Sequence, residues 1–395
     1  MKRREFIINS SMASMALTTS ALAMDKAFDF KNMNETLQIG IIGTGDRGSG
    51  LIHNINSIDN INVLGCCDIL PFRLEKGLKS VKGKAKGYQD YRQLLDNKEI
   101  DAIVVTTPLS THSKIAIDSL DSGKHVYCEK TMAKGYEGID NLVKKTNQFK
   151  NQVFQTGHQY HSSRLYTHVV DLIKNGKIGK ITSFDCQWNR NGNWRRPVPS
   201  PVYERIINWR MYREFSGGLV AELCSHQIDF VNWVLDETPT QVMGTGGIDY
   251  WKDGRETYDN IHLIYNYASG VKAKFTCLTS NAKDDYKIRV FGDKGSIVLD
   301  YTKAWFYPEG KSKKEIGIVD GVSGATIPWD KGLGIPIIVD HKEPSLQALI
   351  DFRDNIVDNK KPISDITTGA NTAVCIQMGL DAMYKNEVIK APSFY

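Results

Sequence analysis

Several short segments combine residue types and spacings that can do chemistry. Gly43-Thr44-Gly45-Asp46-Arg47-Gly48 follows an apolar run and opens an amphipathic one. In that setting the first glycine permits a tight turn and the second lets backbone approach a pyrophosphate. The third allows a helix to pack close to its strand. The helix start supplies N–H donors and partial positive charge for phosphates. Asp68 stands 20 residues after Gly48, at the end of a second apolar run. A carboxylate there accepts from an adenosine ribose and repels a 2′-phosphate, which favours NAD over NADP. Arg73, close by, pulls the other way. Thr106-Thr107-Pro108 ends a further apolar run, at the position where nucleotide sites form in open α/β sheets. His112, Glu129 and Gln159 complete the expected cofactor cleft, beside Gly43, Gly45, Asp46, Arg47, Gly48 and Asp68.

A second group suits proton transfer. Lys130 closes the run ending at Tyr127 and can donate to a substrate hydroxyl or carbonyl and shuttle its proton. Glu222 and His226 lie four residues apart, so on an α-helix they share a face. A carboxylate there could orient the imidazole as a general base, form half of a metal site, or make a plain solvated pair. No third ligand stands at a convincing spacing, and no metal is expected. His158 and His161 are read as polar residues at a domain junction. Between Trp188 and Arg213 lies a polar and aromatic insert with Trp194, Arg195, Trp209, Arg210 and Tyr212. Aromatic faces stack on sugar C–H surfaces and arginines donate to hydroxyls, so the insert, with His158 and His226, is the expected substrate wall.

These residues need two kinds of scaffold. Leu37–Ile42, Ile61–Cys67, Asp101–Val105, Lys124–Cys128 and Val153–Thr156 are short runs, mostly apolar on both faces, and helical patterns such as 49–58 and 112–120 separate them. That alternation predicts a parallel sheet covered on both sides, over residues 36–156. Later runs at 181–188, 241–248, 260–267, 271–278, 287–291 and 296–299 are joined by turn signals, which predicts a mostly antiparallel sheet within residues 157–342. Its helical cover is expected from 164–174 and 221–234. Helices at 345–357 and 366–384 should pack back on the body, within 343–395. Segment 303–342 is Gly- and Lys-rich and reads as a long loop. The fold class is therefore α/β, a doubly wound N-terminal domain followed by an α+β domain with a large open sheet.

The 395 residues are 41% hydrophobic and 24% charged, ordinary globular composition. Residues 1–23 read as an export signal: Lys2-Arg3-Arg4, an apolar stretch from Phe6 to Leu22, and a small-x-small Ala21-Leu22-Ala23 site. Arg3-Arg4 ahead of Glu5-Phe6-Ile7-Ile8 is of twin-arginine type, the route for proteins exported already folded. The stretch is too short and polar for a stable membrane anchor. Without it, 47 basic residues face 44 acidic ones, so nucleic acid is not an expected partner. Seven irregularly spaced cysteines make no disulfide framework.

Taken together, the glycine motif, Asp68, Thr106-Thr107-Pro108, Cys128-Glu129-Lys130, Gly157-His158-Gln159 and Gly217-Gly218 leading to Glu222, His226 and Asp229 resemble the Gfo/Idh/MocA oxidoreductase family. The resemblance implies a Rossmann domain joined to an α/β domain whose open sheet often forms oligomer interfaces. It also implies that Lys130 is the lysine of the family's Glu-Lys-Pro motif and His226 the proton-transfer residue. The proline is Thr131 here, and the aspartate four residues before the histidine is Glu222. The expected activity is periplasmic, NAD-dependent oxidation of a sugar or glycoside, with a tightly held cofactor. A second reading is glycoside cleavage through transient oxidation and elimination, which needs another base from His158, Tyr160, His161 or Tyr212. A third is nucleotide binding without catalysis.

Overall fold

In the computed structural model the described residues are 36–149, 151–309 and 334–393; the expected export signal lies outside them. Six strands form the first sheet: β1 (Leu37–Ile42), β2 (Ile61–Cys67), β3 (Lys86–Tyr88), β4 (Ala102–Val105), β5 (His125–Cys128) and β6 (Phe154–Thr156). All pair in parallel, in the order β3-β2-β1-β4-β5-β6. Strands buried on both faces must be apolar throughout, and Ala102–Val105 is buried at every position. The chain progresses outward one way from β1 and the other way from β4. The crevice between their carboxyl ends is the switch point where such sheets take ligands.

Among the described residues the second sheet has nine strands. They are β7 (Ile181–Trp188), β8 (Gln241–Gly247), β9 (Asn260–Asn266), β10 (Lys272–Leu278), β11 (Tyr286–Gly292), β12 (Gly295–Leu299), β13 (Ala304–Pro308), β14 (Ile335–Ile337) and β15 (Ile389–Lys390). Their order is β14-β13-β12-β11-β7-β10-β9-β8-β15, antiparallel throughout except for β7 beside β10. Alternating burial along β9 and β10 shows one face packed and one open. The expected loop over 303–342 needs correction: its two ends pair as β13 and β14, while residues 310–333 lie outside the described part. Strand β3 went unforeseen because three residues carry no periodicity.

One helix starts at the switch point and another joins the two sheets. Asp46–Ile55 buries Leu51, Ile52 and Ile55 and leaves its start without a side-chain cap. The long helix Ile366–Lys385 packs against β6, β8 and the helices Gly135–Thr146 and Ser225–Leu235. Among the described residues no helix is long and apolar enough to cross a membrane. All seven cysteines are buried and free.

Four buried histidines make the fold acid-sensitive. Burial lowers the pKa of His125 and His158 to about 4, and lowers those of His112 and His226 as well. The Val153 N–H also donates to His125 Nδ1, a bond only the neutral ring accepts. The unfolded chain binds these protons near pH 6.5 and the folded one does not. Their stability contribution is therefore complete above pH 6.5 and lost as pH falls toward 4, on the order of 2–4 kcal/mol for a group shifted that far. Urea midpoints should drop steadily from pH 7 to 4.5; a flat profile between 6.5 and 5 contradicts the assignment.

Candidate active site

The glycine turn shows how the first loop is built. Gly43 has φ +96°, and a Cβ there would stand 2.8 Å from the Thr106 carbonyl carbon. The Gly43 N–H donates to Cys67 O, and Thr106 Oγ1 donates to Gly43 O at 2.5 Å. The β1 and β4 loops are thus locked together at the switch point. Gly48 faces inward, where a Cβ would come within 1.9 Å of Gly43 O. Asp68 accepts from the Thr44 backbone N–H on one oxygen and from Leu70 N on the other, while the Thr44 hydroxyl donates to Arg73 O at 2.9 Å. A carboxylate has about four acceptor sites, so room remains for a ribose hydroxyl.

A cavity of about 910 Å³ runs from this loop to the second sheet's helices. Gly43, Gly45, Asp46, Arg47, Asp68, Thr106, Thr107, Pro108, His112, Glu129, Lys130 and Gln159 all line it, as the sequence predicts for the nucleotide side. Gly48 lies under the loop rather than in the wall. The uncapped helix start leaves first-turn N–H groups open for a pyrophosphate. At the other end Gln159 Oε1 is buried without a partner, an acceptor suited to a carboxamide. A Cβ-free cradle, an open helix start and an unpaired acceptor fit a dinucleotide. Among the described residues no cluster of His, Cys, Asp or Glu could hold a metal ion.

Lys130 and His226 meet at that far end. Lys130 Nζ donates to Glu222 O at 2.8 Å and Ala221 O at 3.2 Å. Those carbonyls belong to the π-helical turn Val220–Cys224, whose wider pitch disturbs the usual i→i−4 bonding. Burial above all pulls the Lys130 pKa down, against Glu222 and Glu129, which raise it. Glu129 in turn holds Arg47 at 2.6 Å. His226 follows the π turn, with Tyr160, Trp188 and His158 packed around its ring. Burial, then the charge of Lys130, drives its pKa well below the ordinary value. The lysine is half-buried at the cavity wall and the imidazole is neutral, a pair able to hold and pass a hydroxyl proton.

Three expectations about this end need correction. Glu222 does not orient His226: its carboxylate is bound by Arg210 Nε at 2.7 Å. Burial raises the Glu222 pKa, yet Arg210 and Lys130 outweigh it and keep the group ionised. Trp194, Trp209 and Arg210 line the cavity, but Arg195 and Tyr212 do not. Arg195 is tied to Glu204 and Asp253, and the Tyr212 hydroxyl donates to Glu204, because the insert's own acids need partners. His158 is fully buried behind His226 and does not line the cavity either. His161 lies 2.8 Å from Asp229, stacked on Trp233.

Other lining residues escaped the sequence reading, among them Gln89, Tyr91, Arg92 and Ile207. The first three follow β3, the strand without periodicity. Arg196 lies in the insert, but nothing in the sequence distinguishes it from Arg195 beside it. It reaches Asp46 at 2.9 Å, and Tyr203 meets Phe72 edge-on at 5.7 Å. The insert therefore crosses from the second sheet to the start of the helix Asp46–Ile55 and to the helix Pro71–Ser80 that follows β2. It also neutralises Asp46, an acid that would otherwise repel a phosphate at the helix start.

Comparison with known proteins agrees with this architecture. Residues 37–158 match a family described as "Oxidoreductase family, NAD-binding Rossmann fold", and residues 166–298 match the "GFO/IDH/MocA C-terminal domain". Myo-inositol 2-dehydrogenase of Thermotoga maritima is 26% identical over 279 residues, 67% of this chain and 75% of that enzyme. The 2,7-anhydro-N-acetylneuraminate hydratase of Escherichia coli K12 is 27% identical over 266 residues, 67% of this chain and 68% of that enzyme. A levoglucosan dehydrogenase solved with NADH superposes with TM-score 0.72 at 18% identity, covering 91% of this chain and all of that one.

Proposed function

Because the chain belongs to the GFO/IDH/MocA family of NAD-dependent oxidoreductases, we propose that it oxidises a secondary hydroxyl of a sugar, polyol or glycoside. One observation carries the reading: Lys130 and His226 line the same cavity as the glycine loop. Bound NAD supplies the hydride acceptor. Gly43, Gly45 and the helix start would hold its phosphates, Asp68 a ribose, and Gln159 the carboxamide end. Lys130 positions the substrate hydroxyl, and neutral His226 takes its proton as the C–H bond breaks. Trp194 and Trp209 offer flat apolar faces to a sugar ring. The sugar-acting and inositol-acting relatives support that substrate class.

The second reading, cleavage by oxidation and elimination, has support from the hydratase relative. It ranks lower because His158, Tyr160, His161 and Tyr212, the candidates for its second base, all lie outside the cavity wall. Product mass spectrometry with substoichiometric NAD separates the two. A keto-sugar that stops at the NAD supply supports dehydrogenation. Free aglycone in many-fold excess over NAD supports elimination. No product from a broad panel of sugars, polyols and glycosides refutes both.

The proposal extends to export with the nucleotide already bound, on the strength of Arg3-Arg4, and to cofactor retention under the insert. Arg196→Gln removes an exposed ion pair worth roughly 0.4–1 kcal/mol, so NADH should leave about two to five times faster in stopped-flow displacement. An unchanged rate removes the strap from the account. Assembly through the open sheet face is proposed as well. Met243, Ile264, Lys274, Asp185, Arg289, Val298 and Trp305 form one continuous cross-strand row there, apolar at both ends and charged in the middle.

A further inference from the structure

Behind the catalytic pair lies a line of polar groups that the proposed reaction does not use. It starts at Ser364, ahead of the long helix Ile366–Lys385. Ser364 Oγ donates to Thr156 O at 3.1 Å. Either hydroxyl can be the donor in the 2.6 Å contact between them; with the Ser364 proton on Thr156 O, it is Thr156 that donates to Ser364. The Thr156 proton is spent in turn, and its oxygen is left to accept from His158 Nδ1 at 3.1 Å. In that arrangement the single proton of neutral His158 is on Nδ1. The other nitrogen, Nε2, becomes a bare acceptor, fully buried and without a partner.

His226 presents the matching problem. Its Nδ1 is also buried without a partner. The two rings stand edge-to-face, 6.3 Å between centres. Buried polar nitrogens are rarely left unpaired; Trp188 Nε1, also without a partner in a ring 5.8 Å from His226, can only donate, so of these two neighbours only His158 can accept from His226. At 6.3 Å between centres the rings are too far apart for a direct N–H···N bond, so one bridging water oxygen would join them.

We propose that His158 is a positioning residue that fixes the His226 tautomer, with the proton on Nδ1 and the lone pair on Nε2 at the cavity wall. An acceptor on the buried side draws the ring proton to that side, as the partners of catalytic histidines do generally. The line Ser364–Thr156–His158 thus passes one hydrogen-bond direction from the helix Ile366–Lys385 to the base. This rests on His226 as the base of the proposed reaction. It also moves His158 from the substrate wall, where the sequence alone placed it, to the support behind it.

The test needs no substrate. Long-range ¹H–¹⁵N correlation spectra of ¹⁵N-histidine-labelled protein, with His226 assigned by loss in His226→Gln, read the tautomer directly. The expected unmodified protein shows a protonated Nδ1 and a bare Nε2 on His226. A protonated Nε2 overturns the proposal at once. His158→Gln keeps an acceptor in reach and should preserve the tautomer, whereas His158→Phe should mix the two forms. Thr156→Val acts one step further back and serves if His158→Phe does not fold. A His226 tautomer unmoved by every variant also overturns it. Where turnover is measurable, His158→Phe should lower kcat roughly 10–100-fold with little change in the KM for NAD, as losing an orienting partner does elsewhere. The expected tautomer in a protein that turns over no sugar would instead leave the positioning intact and count against the proposed activity.

Discussion

Replacing Lys130 with methionine should lower kcat/KM about 10²–10⁴-fold while NADH still binds. The substitution keeps an unbranched apolar stem and removes only the ammonium. That group stands at the wall shared by the cavity and the π turn, donating to the Glu222 and Ala221 carbonyls. Its bonds are to the π turn rather than to the glycine loop, so nucleotide affinity should change little. Lys130→Arg should not rescue the loss. A planar guanidinium is always charged and cannot yield a proton, and it is too broad for two converging carbonyls. His226→Asn should cost at least 10² on the same scale, and the double variant little more than the worse single one, since the two groups handle one proton. Fluorescence titration with NADH reads binding and product formation reads turnover. A Lys130→Met enzyme within tenfold of the parent would remove Lys130 from the chemistry.

The parts of this site that could be read from the chain are those where one residue type meets one local rule. The glycine motif, Asp68 and Lys130 each end an apolar run, and the end of a buried strand is well defined by composition. The helix Arg164–Lys174 and strand β7 are equally legible, the first by its 3.6-residue stripe and the second by turn signals at both ends. What failed depended on partners distant in sequence or on departures from regular geometry. Spacing of i, i+4 put Glu222 beside His226, but that rule assumes an α-helix, and the turn Val220–Cys224 is wider. Arg210, 12 residues earlier in the chain, then captured the carboxylate. Arg195 and Arg196 are neighbours of one chemistry, yet one neutralises Glu204 and the other crosses to Asp46. The choice is made by acids no local pattern reveals. His158 looked like a substrate group because it is polar and near the strand ends; only packing shows that it lies behind the base.

The glycines of the helix Asp46–Ile55 provide an internally controlled test, with the second large effect expected. Gly48 and Gly50 lie in the same helix, two residues apart, and face opposite ways. A Cβ at Gly50 meets nothing within 4 Å, while one at Gly48 falls 1.9 Å from Gly43 O and 2.9 Å from Thr106 Oγ1. Gly50→Ala therefore keeps every contact and gains helix propensity, about 0.5–1 kcal/mol of stability with NADH affinity unchanged. Gly48→Ala cannot be accommodated by a side-chain rotation, because the obstacle is main chain. Either the helix start lifts away from the β1 turn or the turn itself moves. Both displace the first-turn N–H groups from Gly43 and Gly45, and with them the phosphate cradle. NADH affinity should fall at least 100-fold, more than 2.7 kcal/mol, in a protein whose circular dichroism still shows both sheets and helices. The glycine at 48 is thus required by distance to backbone rather than by contact with ligand, which is why it lies outside the cavity wall. Equal NADH affinity for the two alanine variants would show that the close approach of helix to turn does not govern the nucleotide site.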